Sequence, residues 1–224
     1  MSDHPVAKES RHVNLGFVEE PFPEGIHMCL IYNDEAERRA VIGRFIDQGL
    51  KDGHVTSYFG DAPDTTAIRQ ELEEIGVHLP EDDSDQDLLH ISQARHTYCP
   101  QDQFDPDRIL ASLGRFHDSA QARGHAFIRV SGEMGWALRG YAGSNRLFEY
   151  ESRVNDFMTQ HPFAAICQYD ARRFSGDAIL AAMKVHPVMV IRGQIVHNPF
   201  YMETAAFRQD KQFDFQGQLG MNLP

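Results

Sequence analysis

Cysteine is scarce in this chain: three residues in 224, Cys29, Cys99 and Cys167. They share no close spacing, which excludes a disulfide framework and a zinc knuckle. Two of them stand inside apolar runs, as reduced, buried thiols of a cytoplasmic protein do. Positive charge is also in short supply, with 21 Lys and Arg against 33 Asp and Glu, a net charge of −12 and a pI of about 5.4. No basic run exceeds Arg172-Arg173, so direct binding to nucleic acid or to an anionic membrane is not expected. No apolar stretch is long enough to cross a bilayer, and the polar opening MSDHPVAKESRHVN lacks the apolar centre of a secretory signal. The expected location is the cytoplasm. Linkers rich in Gly, Ser or Pro are missing, as are internal repeats. One domain over residues 15–205 is expected, with flexible tails at 1–14 and 206–224. The motifs G-x-S-x-G, H-E-x-x-H, C-x-x-C and G-x-G-x-x-G are absent, so no catalytic residue, no cofactor and no enzymatic activity are expected.

What is present is alternation. Strand-like apolar runs at His27–Tyr32, Val55–Phe59, Leu88–Ser92, 126–131, Phe163–Gln168 and Val188–Ile191 are separated by helical patterns. The helices are predicted near Glu35–Lys51, Thr65–Ile75, Pro106–Arg123, Leu147–Gln160 and Gly176–Val185. Strand and helix alternating through short turns predict a three-layer α/β/α fold with a mostly parallel sheet. The end VMVIRGQIVHNPFY reads as an antiparallel edge hairpin turning at Arg192-Gly193. Residues 80–87, PEDDSDQD, read as a solvated acidic loop.

The first strand and helix are joined by Tyr32-Asn33-Asp34-Glu35-Ala36-Glu37, where a nucleotide-binding protein would carry glycines and a terminal lysine. Asn33 is the expected cap, and the three carboxylates favour the helix dipole while repelling polyphosphate. A site is then expected beyond the carboxyl ends of the strands. Tyr32, Trp136 and Tyr169 would give apolar lining there, and Glu133 and Gln168 would orient the polar end of a ligand. Arg129, inside the apolar run AFIRVS, needs a carboxylate; Glu133, Glu149 and Glu151 are the candidates, with Glu151 taken as the ion-pair partner. Twelve histidines raise the question of a metal. The tightest grouping, His90, His96 and Cys99, has no metal-ligand spacing, so no metal is expected. His27 and His186 fall at the amino ends of strands, where a hydrogen-bonding role is expected.

Five segments in order, GIHMCLIYNDEAERRAVIGRFIDQGLKDGHVTSYFGD, FIRVSGEMGWAL, LFEYESRVNDF, AAICQYDARRF and VHPVMVIRGQIVHNPFY, resemble the MEDS domain, the methanogen/methylotroph, DcmR-type sensory domain. The resemblance runs from about Gly25 to Tyr201. It falls on His27, Tyr32, Glu35, Arg129, Glu133, Met134, Trp136, Glu151, Asn155, Cys167, Gln168, Tyr169, His186, Pro187, Asn198, Pro199 and Tyr201. It implies a fold akin to the RecA/KaiC ATPases without their phosphate-binding loop. It also implies a sensory role toward a small organic ligand such as a hydrocarbon derivative. No helix-turn-helix or kinase module is evident in the sequence, so the signal is expected to pass to a separate signalling protein. The competing readings are a degenerate RecA/KaiC-like nucleotide-binding protein and a regulator that binds only other proteins. Oligomeric state is not legible.

Overall fold

The computed structural model describes residues 11–80, 87–125 and 127–210. A short antiparallel ribbon, β1 (His12–Val13) on β2 (Phe22–Pro23), precedes the main body. There follow β3 (Ile26–Tyr32), α1 (Glu35–Lys51), β4 (Val55–Gly60), α2 (Thr65–Glu74) and β5 (Leu89–Gln93). Next come α3 (Ala94–Tyr98), α4 (Pro106–Ala122), β6 (Ile128–Glu133), a short 3-10 segment Met134–Arg139 and α5 (Leu147–Met158). The chain continues through β7 (Ala164–Asp170), α6 (Gly176–Val185), β8 (Val188–Ile191), β9 (Gln194–His197) and α7 (Thr204–Gln209).

The seven strands β5-β4-β6-β7-β3-β8-β9 form one sheet, parallel throughout except for the last pair. β7 is buried along its whole length and β3 nearly so, as strands covered on both faces must be. Arg192 (φ 51°) and Gly193 (φ 71°) turn the β8–β9 hairpin, a pair of positive angles that matches the twist of the flanking strands. Side-chain parity then sorts the core in two. One face carries Met28, Leu30, Tyr58 and Ile166 against Val41, Ile42, Phe45 and Ile46 of α1 and Ile68 and Leu72 of α2. The other carries Val55, Val130, Cys167 and Tyr169 against α3, α4, α5 and α6.

Three expectations need correction. The expected tail boundaries cut into packed structure at two side chains: Val13 is buried in the core cluster that includes α1, and Phe207 of α7 is fully buried. Residues 1–10, 211–224 and 81–86 of the acidic loop lie outside the described residues. Asp34 caps α1 in place of Asn33, its carboxylate accepting from the Ala36 N–H at 2.9 Å. Arg129 does not pair with Glu151. Its parity on β6 directs it to the α1 face, whereas α5 carries Glu151 on the opposite one. The fully buried guanidinium donates to His54 Nδ1 (3.1 Å), to the Phe45 carbonyl (3.1 Å), to the Asn14 carbonyl and, at 3.4 Å, to Asp52. Burial lowers its pKa to about 10, opposed by the Asp52 carboxylate, so it stays charged near pH 7.

Candidate functional site

The helix end that would seat a phosphate is filled by the chain's own side chains. Asp34 takes the Ala36 N–H, Glu35 pairs with Arg38 and Arg172 at 2.7 Å each, and Glu37 accepts from the Arg192 N–H at 2.6 Å. No nucleotide affinity is expected. Calorimetry with ATP or GTP and magnesium should give no heat of binding at millimolar concentration, and a micromolar, magnesium-dependent affinity would falsify this reading of the loop.

The five residues expected to line one crevice do not meet. Gln168 and Tyr169 are neighbours on β7 and so point to opposite faces of the sheet. On the α1 face, Tyr32, Glu133 and Gln168 gather around Arg38. Its guanidinium lies 5.7 Å from the Tyr32 ring, 3.4 Å from Gln168 Oε1 and 3.6 Å from Glu133, and it also pairs with Glu71. Tyr58 donates to Glu133 at 2.7 Å and Gln168 donates to Ser131 at 2.9 Å. Burial raises the pKa of Glu133 while the Arg38 charge pulls it down. Arg38 went unassigned in the sequence, yet it had a signal: it opens the buried stripe of α1 that continues through Val41, Ile42, Phe45 and Ile46. This network is saturated with internal partners and leaves little for a ligand.

Trp136 and Tyr169 are both fully buried. Trp136 stacks on Tyr98 (5.0 Å between ring centroids, 14° between planes) and tilts against Phe104 at 4.7 Å. Beyond the carboxyl ends of β4 and β5 lies a hollow of about 290 Å³. Its walls are polar, with Asp61 held by Arg139 and Arg173.

An apolar cavity lies elsewhere, under the α3–α4 layer. It measures about 250 Å³ and is walled by Phe59, Tyr98, Ile109, Leu113, Phe116 and Tyr150, with Ser57, His90, Thr97 and Ser112 as its polar margin. His90 stands edge-on to Phe116 at 5.2 Å, and its buried Nε2 has no hydrogen-bond partner among the described residues. Burial lowers the pKa of His90, which keeps the ring neutral near pH 7. An apolar cavity of about 150 Å³ is enough to admit benzene, so this one has room for a small organic molecule.

Tyr169 belongs to a separate, fully internal cluster. Its hydroxyl donates to Glu151 Oε1 at 3.0 Å. The other oxygen, Oε2, lies 3.1 Å from His27 Nε2, 3.4 Å from Cys167 Sγ and 3.5 Å from His186 Nε2. These four residues come from β3, α5, β7 and the residue just after α6, so no sequence spacing joins them. The converging ligand-type atoms all lie within 4.8 Å of one another. Burial lowers the pKa of His27, with the neighbouring His186 acting in the same sense and Glu151 against it. The expected hydrogen-bonding role of His27 and His186 is seen in bonds to Asn155 (3.0 Å) and to the Ala182 carbonyl (2.7 Å).

Among known proteins, the family model described as MEDS, the MEthanogen/methylotroph, DcmR Sensory domain, matches residues 26–187. The transcriptional repressor DcmR of Methylorubrum extorquens strain DM4 is 27% identical over 161 residues, covering 71% of this chain and 57% of that protein. The chain therefore corresponds to little more than half the length of that relative. The crystal structure of a KaiC-like protein from Pyrococcus horikoshii OT3 superposes with a TM-score of 0.53 at 16% identity, over 72% of this chain and 71% of that one, which shows a shared fold.

Proposed function

The chain belongs to the MEDS family of sensory domains, and from that premise we propose that it senses a small, mostly apolar organic molecule held in the cavity beneath α4. One observation carries the reading: a cavity of about 250 Å³ has aromatic and aliphatic walls and a buried ring nitrogen, His90 Nε2, without a hydrogen-bond partner among the described residues. Such a site takes an apolar body, such as a hydrocarbon derivative, and one polar end. Binding removes apolar surface from water at about 25 cal/mol per Å². Small ligands meet a ceiling near −1.5 kcal/mol per heavy atom, so a three-atom compound binds no tighter than about millimolar, and only larger ones reach micromolar.

No catalytic step belongs to this reading, since among the described residues His90 Nε2 has no hydrogen-bonded hydroxyl or thiol that it could activate. Among the described residues no helix is long and apolar enough to cross a membrane. The bound state would be read by a separate signalling protein. Edge strand β9 supports that part, because among the described residues no strand pairs with its outer side, and Ile191, Val196 and Phe200 stand exposed on it or close to it in the chain.

The test is a thermal-shift screen of small aromatic and halogenated compounds on the native chain and on Leu113→Trp, which fills the cavity. A compound at 100 times its Kd should stabilise the native chain by about 2.7 kcal/mol and leave the variant unmoved. A compound that stabilises both equally places the site elsewhere.

A further inference from the structure

We propose that His27 Nε2, Glu151 Oε2, Cys167 Sγ and His186 Nε2 bind one divalent transition-metal ion of the zinc class in a closed, four-ligand site.

The first support is the direction of the lone pairs. Asn155 donates both its amide hydrogens' bonds to carbonyls, Ser152 O at 3.2 Å and Val185 O at 2.8 Å, which turns its Oδ1 toward His27 Nδ1. His186 Nδ1 faces the Ala182 carbonyl. Both partners can only accept, so both imidazoles carry their proton on Nδ1 and aim the Nε2 lone pair inward. The Glu151 carboxylate oxygen is a third acceptor aimed at the same point. Three acceptors and one thiol converge with a shortage of donors, and His186 Nε2 has no hydrogen-bond partner among the described residues. A cation at the centre satisfies all of them.

The second support is the spacing. Charge-assisted hydrogen bonds run at about 2.7–2.9 Å. Four of the six separations are longer than that, 3.1 Å (His27–Glu151), 3.4 Å (His27–Cys167), 3.4 Å (Cys167–Glu151) and 3.5 Å (His186–Glu151), and the other two lie within 4.8 Å. A tetrahedral ion bonded at about 2.0–2.3 Å sets its ligand atoms about 3.3–3.8 Å apart, close to these values.

The third is the outer layer. Each nitrogen ligand is oriented by an acceptor behind it, and Tyr169 holds the far oxygen of Glu151, which leaves Oε2 as a single donor atom. Outer partners of this kind fix ligands at metal sites. Two neutral imidazoles, a carboxylate and a thiolate suit a borderline-soft dication, and loading it releases the Cys167 proton to solvent. All four ligands are buried, so the site has no open position for substrate water and is of the structural type. It adjoins the sensory cavity through α5, which sends Tyr150 to the cavity wall and Glu151 to the cluster.

The experiment uses the full chain, without a histidine tag, folded from denaturant in excess zinc(II) or cobalt(II) and then desalted. About one metal per chain is expected by mass spectrometry, with a tetrahedral cobalt spectrum and a thiolate charge-transfer band. Cys167→Ser should lose that band and His186→Gln should fall below about a tenth of an equivalent. Tyr169→Phe, which leaves all four ligands in place, should weaken retention against a chelator about 10-fold. Less than a tenth of an equivalent in the native chain would overturn the proposal and leave a proton-linked hydrogen-bond cluster. So would a thiolate band that survives in Cys167→Ser. If Cys167→Ser and His186→Gln fail to fold, unchanged retention in Tyr169→Phe rejects the site. None of these outcomes bears on the cavity, so the two proposals fail separately.

Discussion

Trp136→Ala is expected to destabilise the protein by about 3 kcal/mol, the low end of the usual range for deleting a buried aromatic ring. Trp136 is the chain's one tryptophan, is fully buried and sits between Tyr98 and Phe104. Its removal leaves a void that two rigid rings cannot fill. The low end applies because the indole N–H is buried without a partner, so alanine relieves a desolvated donor while opening the cavity. Trp136→Phe separates these two effects. It keeps most of the ring and drops the donor, and its loss should stay within about 1 kcal/mol. Denaturation followed by far-UV circular dichroism measures both. Equal losses for the two variants would mean that the N–H has a partner worth more than the packing.

For Arg129→Met the expected loss is also about 3 kcal/mol, by a different route. Methionine fills much of the volume but donates nothing to the Phe45 and Asn14 carbonyls or to His54 Nδ1. Asp52 contributes less. Its side chain is 32% exposed and lies 3.4 Å from the guanidinium, so water can replace the arginine. Asp52→Asn should therefore change stability by less than about 1 kcal/mol at neutral pH. Urea titrations of both variants decide the matter. If Asp52→Asn destabilises as much as Arg129→Met, the ion pair dominates and the carbonyl contacts are secondary.

The fold was legible because its signals are local. Strand runs such as Val188–Ile191 and helices such as Glu35–Lys51 and Gly176–Val185 stand where the apolar periods and turn residues put them. Errors at other boundaries amount to a residue or two, as at β6 and α5. The absence of a phosphate loop was likewise readable, since Asp34, Glu35 and Glu37 are adjacent in sequence. The site was less legible because its relations are non-local. Sequence adjacency grouped Gln168 with Tyr169, although the pleat separates them. It also missed the cavity, whose walls Phe59, Tyr98, Phe116 and Tyr150 come from four separate elements. His27, Glu151, Cys167 and His186 meet only when β3, α5, β7 and α6 pack together. A conspicuous arginine was paired with the wrong carboxylate because the face it occupies depends on which helix covers that side of the sheet.

Arg129 has one more effect, on how this sequence can vary. Gly49, in the last turn of α1, has no positive φ that would call for glycine. A methyl group at that position would lie 2.7 Å from Arg129 Cδ and 2.7 Å from Thr56 Oγ1. The arginine side chain crosses the helix where a side chain of α1 would otherwise stand. Positions 49 and 129 are therefore expected to vary together, with Thr56 as a third member of the group. Where arginine crosses the helix, position 49 is confined to glycine, at a loss of about 1 kcal/mol of helix propensity relative to alanine. A lineage that replaces the arginine by a short apolar residue relieves only part of the clash; position 49 opens to other residues once Thr56 is also replaced or turned away, provided Phe45 O and Asn14 O find another donor. A library randomised at both positions and selected for folded protein would show this as coupling between the two columns.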